Sequence, residues 1–211
     1  MKTDHSYHRR SIRLRGYDYS RAGAYFVTVC ARDRECLFGE VVHGEMVLND
    51  AGRMVADVWM VLPDRFPTVD VDEFIVMPNH MHGIVVMIEN NVGAPLVGAH
   101  SPGTETNRMG ERAGTRPAPT DKTMTKLGDI VGAFKSITTD QYILGVKTND
   151  WPPFVGKLWQ RNYYEHIVRD DDALNRIRQY IIDNPSQWAF DRENPAVIDA
   201  EAIMGGTEVA S

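Results

Sequence analysis

His80 and His82 are separated by one residue, and two imidazoles at that spacing can share one cation. In an extended segment residues i and i+2 project from the same face. The two rings then stand side by side and look outward, while Met81 between them turns into the core. The chain contains seven histidines, so a His-x-His pair alone is a weak signal for a metal. A second constellation lies near the C-terminus. Tyr180 and Asn184 are four residues apart in a helical stretch, which puts a phenol and an amide on one face, one turn apart. Tyr180 borders an apolar stripe of Leu174, Ile177 and Ile181, and its hydroxyl can reach past the edge of that stripe. The structural alternative is a packed ring with a hydrated hydroxyl, followed by a helix stop at Asn184-Pro185. Tyr163 and Tyr164 near His166 compete for the same chemistry; on a strand Tyr164 and His166 share a face and Tyr163 takes the other. Cys30 and Cys36 read as ordinary thiols, with no CxxC pair for zinc.

The elements that must position these residues follow from periodicity and punctuation. A β-rich run at Ala24–Ala31 precedes a weaker strand pair over Leu37–Leu48, around His43-Gly44. Asn49-Asp50 offers an N-cap for a helix to about Leu62, stopped by Pro63, with Met54, Val55, Val58, Trp59 and Leu62 at helical spacing. Strands at Glu73–Met77 and His82–Ile88 flank a turn or bulge at Pro78-Asn79 and form an antiparallel hairpin. Residues 90–122 are rich in Gly, Pro, Thr and Asn and read as a flexible insert. A helix from about Thr125 to Ile143, a strand over Leu158–Val168 and a final helix from Asp171 to about Asp183 complete the order, the last one capped by the acids at 170–172. This order predicts an α+β ferredoxin-like sandwich, an antiparallel sheet with helices packed on one side. A basic N-terminal arm and a C-terminal helix carrying Tyr180 are added to it. The domain plan is an arm at 1–22, one catalytic domain at 23–188 and an acidic tail at 189–211.

At 211 residues, 43% hydrophobic and 25% charged, the chain has the size and composition of one globular domain with appendages. No apolar run approaches the roughly 20 residues that span a bilayer, and MKTDHSYHRR lacks the apolar stretch of a secretion signal. No membrane partner and a cytoplasmic location are the expectations. Net charge is −6, which argues weakly against a polyanionic partner, but its distribution argues the other way. Residues 1–34 carry eight Lys or Arg against three Asp, a net of +5, which leaves −11 for the rest. A basic arm on an acidic body is a footprint for phosphate contact, because local field attracts the polyanion. Arg9, Arg10, Arg13, Arg15 and Arg21 are the expected DNA contacts on the arm, with Lys135 on a helix. Tyr17, Tyr19 and Tyr25 lie near enough to stack on unpaired bases, with core packing the alternative for Tyr25.

Together the motifs resemble a known family. PNHMHGIVV, then FKS, then LWQRNYYEHIVRD and RQYIIDNP occur in the order and type of the HUH single-tyrosine transposases. The chain is most similar to the REP-associated tyrosine transposases of bacteria, with an IS200-like fold, and the opening RRSIRLRGYDYSRAGAYFVTVCARDR fits that subgroup. The resemblance covers roughly Arg9 to Trp188. It implies that His80 and His82 hold a divalent metal, Mg²⁺ or Mn²⁺, from a central strand. It implies that Tyr180 is the nucleophile and that Asn184 completes the metal site, where the insertion-sequence branch commonly has Gln. The implied partner is single-stranded or hairpin DNA, and the implied assembly is a monomer or a homodimer. The implied reaction is DNA nicking and strand transfer through a 5′-phosphotyrosine, with a 3′-hydroxyl released. Because the covalent bond stores the ester's energy, no ATP is needed, in keeping with the lack of a GxxxxGK[ST] loop. Two imidazoles and an amide would leave the ion its full double charge to neutralise the attacked phosphate. The alternatives are a non-catalytic hairpin-binding protein derived from a transposase, an RNA-binding ferredoxin-like domain, and a metal-dependent hydrolase of small molecules. The last lacks an obvious carboxylate base near the pair; Glu73 is the nearest in sequence.

Overall fold

A computed structural model describes residues 16–89 and 125–197. The arm residues Arg9, Arg10, Arg13 and Arg15, the insert at 90–122 and the end of the acidic tail lie outside the described residues.

Four strands form one antiparallel sheet: β1 (Gly23–Cys30), β4 (Val69–Val76), β5 (His80–Met87) and β6 (Tyr164–Val168), in the order β4-β5-β1-β6. β2 (Gly39–Val42) and β3 (Glu45–Leu48) pair separately as the hairpin expected around His43-Gly44. The helices are α1 (Asp50–Met60), the short α2 (Leu62–Arg65), α3 (Leu127–Thr148) and α4 (Asp171–Gln187). This is the expected α+β architecture.

The period-two alternation of the strands divides the side chains between two faces. Tyr25, Val27 and Val29 of β1 and Met81 and Val85 of β5 point to one face, where they join Val55 and Trp59 of α1 and Ile130 and Phe134 of α3 in the main core. Phe26 and Ile84 point to the other face, where Ile181 of α4 closes over them, flanked by Leu174 and Ile177. The sandwich helices thus lie on one side, and the helix that carries Tyr180 crosses the opposite side. An ion pair adds to this docking, with Arg178 Nε donating to Asp72 Oδ1 of β4 at 2.9 Å. Among the described residues no helix is long and apolar enough to cross a membrane.

Capping residues behave as their types dictate. The Asn49 side chain accepts from Gly52 N–H at 2.8 Å to start α1, and Asp170 accepts from Ala173 N–H at 2.7 Å to start α4. Several boundaries depart from expectation: Pro63 lies inside α2 rather than stopping a helix, β4 begins at Val69, and α3 runs on to Thr148. β5 begins at His80 rather than His82, so both histidines lie on the strand. The apolar run Leu158–Val168 is not one strand. Leu158 and Trp159 are buried, Trp159 makes only an isolated bridge to Ala31, and β6 starts at Tyr164. Between them Lys135 Nζ gathers the carbonyls of Gln160 (2.9 Å) and Asn162 (3.1 Å), which bends the backbone away from a ladder. Finally, α4 runs through Pro185 to Gln187. Proline falls in the last turn, where the Trp188 N–H closes the helix onto the Pro185 carbonyl and Asn194 Nδ2 donates to the Trp188 carbonyl at 2.9 Å.

One close approach fixes the sheet against α1. A Cβ added to Gly83 would lie 2.5 Å from Trp59 Cζ2, and Trp59 is fully buried. Gly83→Ala is therefore expected to lower unfolding free energy by about 1–3 kcal/mol, the cost of overpacking a close-packed core. Denaturant unfolding measures this, and an unchanged midpoint would mean that the indole has room to move.

Candidate metal and nucleophile site

β5 and β1 set the floor of the site. In the antiparallel register His82 pairs with Thr28 and His80 with Cys30. His80 and His82 share a face, as their spacing predicts, and Met81 is buried on the other. The histidines do not look outward to solvent, however. They are 0% and 4% exposed, because α4 and the turn that follows it cover them. Burial pulls the His80 pKa down to about 3 and that of His82 well below the usual imidazole range. Both rings are neutral near pH 7, the state that donates lone pairs to a metal.

Hydrogen bonds fix how each ring is turned. Asn79 Oδ1 lies 2.8 Å from His80 Nδ1. A carbonyl oxygen only accepts, so His80 Nδ1 carries the proton and its Nε2 keeps a lone pair. The other end of the Asn79 amide donates to the carbonyls of Arg34 (3.0 Å) and Glu193 (2.7 Å), and Asn79 is fully buried. His82 Nδ1 lies 2.8 Å from Thr28 Oγ1, and Phe26 stacks on its ring at 5.4 Å. The two Nε2 atoms face each other at 3.1 Å.

Behind α4 the chain turns through Trp188–Phe190 and brings Asp191 onto the pair. One Asp191 oxygen, Oδ1, accepts from Glu193 N–H at 2.8 Å. The other, Oδ2, lies 3.8 Å from His80 Nε2. Glu193 is in turn held by Arg34, whose Nε donates to Oε2 at 2.7 Å. Donor atoms of His80, His82 and Asp191 all lie within 4.8 Å of one another, a grouping that could hold a metal ion. Asn184 is buried, and its Oδ1 has no hydrogen-bond partner. His80 Nε2 offers a lone pair, and so does His82 Nε2 when Thr28 Oγ1 accepts from His82 Nδ1; a cation shared between them would also meet the Asp191 carboxylate and the unpartnered Asn184 oxygen. The residues present therefore fit a divalent metal. The expected imidazole and amide set contains no carboxylate; Asp191 adds a negative charge beside the two neutral rings.

Tyr180 stands over the pair, with its hydroxyl 3.4 Å from His82 Nε2 of the same chain. Its ring is edge-on to Phe26 at 6.0 Å and to His82 at 5.3 Å. Burial raises its pKa above the usual phenol value, as does the negative charge of Asp191, while a hydrogen bond from Asn184 opposes the rise. A cavity of about 1050 Å³ opens in front of Tyr180 and His82 and runs past Arg34, Tyr164 and Asn184.

The structure thus brings together His80, His82, Tyr180 and Asn184. Tyr164 is exposed at the cavity wall, whereas Tyr163 is half-buried with the Lys135 ammonium 5.6 Å from its ring centroid. Lys135 is committed to the loop carbonyls, as described. Arg21 is exposed, and its carbonyl accepts from the Tyr25 hydroxyl at 2.8 Å. Tyr25 is fully buried, and Tyr17 and Tyr19 pack against it at 6.4 and 6.1 Å. Burial pushes the Cys30 thiol up to about 12, so it is protonated and unreactive near pH 7. Asp191 and Asn79 were missed in sequence. The first follows the last periodic helix, and the second sits in a Pro-Asn pair whose composition signals a turn.

No protein-family model matches the chain. A protein of Haemophilus influenzae, described only as uncharacterized, is 38% identical over 186 residues, covering 88% of this chain and 93% of its own. Among solved structures, a REP-associated tyrosine transposase bound to a REP hairpin is 19% identical, covering 83% of this chain and 73% of its own, with a TM-score of 0.44. A candidate transposase from Deinococcus radiodurans is 15% identical, covering 82% of this chain and 96% of its own, with a TM-score of 0.40.

Proposed function

The chain belongs to the same family as the Haemophilus influenzae protein, and from the site its fold assembles we propose that it cleaves and rejoins single-stranded DNA through Tyr180, as a HUH single-tyrosine transposase. The observation that carries this reading is the Tyr180 hydroxyl lying 3.4 Å from His82 Nε2, over the two buried histidines that group with the half-buried Asp191.

His80, His82, Asp191 and the Asn184 amide oxygen would hold Mn²⁺ or Mg²⁺, since imidazole mixed with oxygen donors suits Mn²⁺ and tolerates Mg²⁺. When bound, the cation would neutralise charge on the attacked phosphodiester. The chain's own residues do the rest. The Asn184 amide beside the Tyr180 oxygen would lower the cost of the phenolate. Phe26 fixes the ring from beneath. Tyr180 Oη attacks phosphorus and forms a phosphotyrosine as the bond to the 3′ oxygen breaks. The phenol gives up its proton, and the departing oxygen takes one up to become a 3′-hydroxyl. Attack by another 3′-hydroxyl reverses these steps and rejoins DNA.

Incubation with hairpin-bearing single-stranded DNA and Mn²⁺ tests the reading by capture of a denaturant-resistant protein–DNA adduct at Tyr180. No adduct under any divalent metal would favour a hairpin-binding protein without chemistry. The N-terminal arginines are the proposed phosphate contacts of that DNA.

Asn79 supplies a separate check on the metal centre. Asn79→Ala leaves His80 Nδ1 without its acceptor and frees the Glu193 carbonyl, so Mn²⁺ affinity should fall about 10- to 100-fold, the usual effect of losing an orienting partner. Calorimetric titration measures this beside the melting temperature. Unchanged affinity would mean that His80 is oriented by packing alone.

A further inference from the structure

The cavity in front of Tyr180 carries features that neither the nucleophile nor the metal group uses. Phe190 is 81% exposed and belongs to neither apolar cluster, although it lines the cavity beside Asp191. An exposed ring at the mouth of a site offers its π-face to a ligand. Tyr164 is a second ring on the wall, 42% exposed. It lies across the sheet from the histidines, since Tyr164 pairs with Thr28 and Thr28 with His82. Tyr164 is edge-on to Phe26 at 6.3 Å, and Phe26 is edge-on to Tyr180 at 6.0 Å. One exposed ring therefore stands on the β6 flank of the reactive centre and the other on the flank formed by the turn after α4. Arg161 and Arg192 line the same cavity and are exposed, and among the described residues neither makes an ion pair.

We infer that Phe190 and Tyr164 are stacking platforms for unpaired bases of single-stranded DNA on either side of the phosphate presented to Tyr180, with Arg161 and Arg192 taking neighbouring phosphates. The inference rests on the proposed function and adds how the strand is gripped. Aromatic faces suit this task because every base has a π-face, so the strand is held without regard to sequence. Both platforms belong to elements with other anchors. Tyr164 opens β6, below a loop held by Lys135, and Phe190 ends a turn held by Asn79 through Glu193. Their positions are thus set before any strand arrives.

The test uses the full chain carrying Tyr180→Phe, so that binding is read without cleavage. Fluorescence anisotropy compares a short oligothymidylate with an abasic strand of the same length and charge. Phe190→Ala and Tyr164→Ala should each weaken thymidylate binding about 5- to 100-fold, the size of one lost base–aromatic stack, and leave abasic binding unchanged. Arg161→Ala and Arg192→Ala should weaken both strands alike. Equal affinity for the two strands before any ring is removed would overturn the inference, and so would ring variants that lose affinity for both equally. Tighter binding of oligouridylate than oligothymidylate would overturn it in favour of RNA. Wild-type adduct formation is scored separately. Base-dependent binding with no adduct sinks the nuclease and keeps the platforms, and an adduct with no base dependence does the reverse.

Discussion

Tyr180→Phe is expected to abolish the covalent DNA adduct, a loss on the order of 10³-fold or more, while leaving strand binding largely intact. The size follows from the chemistry, because without the hydroxyl no oxygen remains to form the phosphotyrosine and only background hydrolysis persists. The selectivity follows from the packing. Phenylalanine keeps the edge-on contacts to Phe26 and His82, so the ring stays seated although His82 Nε2 and the Asn184 amide lose the hydroxyl beside them. Denaturing gel shift with labelled hairpin DNA and Mn²⁺ measures the adduct. Survival of the adduct in this variant, together with its loss in Tyr164→Phe, would move the nucleophile to β6 and refute the assignment.

The second large effect belongs to His80. His80→Ala should reduce Mn²⁺ affinity on the order of 100-fold or more, since ligand loss exceeds the 10- to 100-fold usually seen for an orienting partner. His80 is the cleaner choice than His82, because His82 also faces the Tyr180 hydroxyl and its removal would disturb two things at once. The adduct should fall with the metal and recover in part at high Mn²⁺. The substitution also leaves Asn79 Oδ1 buried without its partner, so some loss of stability, about 1–3 kcal/mol, accompanies it. Calorimetry on the folded variant separates the two effects. Wild-type Mn²⁺ affinity in folded His80→Ala would show that the imidazole pair holds no ion.

Much of this site could be read from spacing. The two-residue period alone puts His80 and His82 on one face with Met81 behind them, and the helical period alone puts Asn184 one turn beyond Tyr180. Both relations survive because each is local to one element. What spacing could not show is how the elements meet. Asp191 lies beyond the last periodic residues, and its role depends on α4 continuing through Pro185, where an Asn-Pro pair reads as a stop. Asn79 looked like a turn residue because its three partners lie at positions 34, 80 and 193, two of them far away in sequence. The strand read over Leu158–Val168 failed for a similar reason, since its apolar residues are truly buried but a lysine from α3 claims the carbonyls that a ladder would need.

The ion pair between Arg178 and Asp72 and the seat of Ile181 on Phe26 and Ile84 hold the tyrosine helix over its own chain's histidines. For the chemistry proposed, one molecule then has a single covalent attachment point and can carry one strand end at a time. Excising a segment with two ends must therefore either enlist two separate copies or proceed by consecutive turnovers, with the first end resealed or handed on before the second is cut.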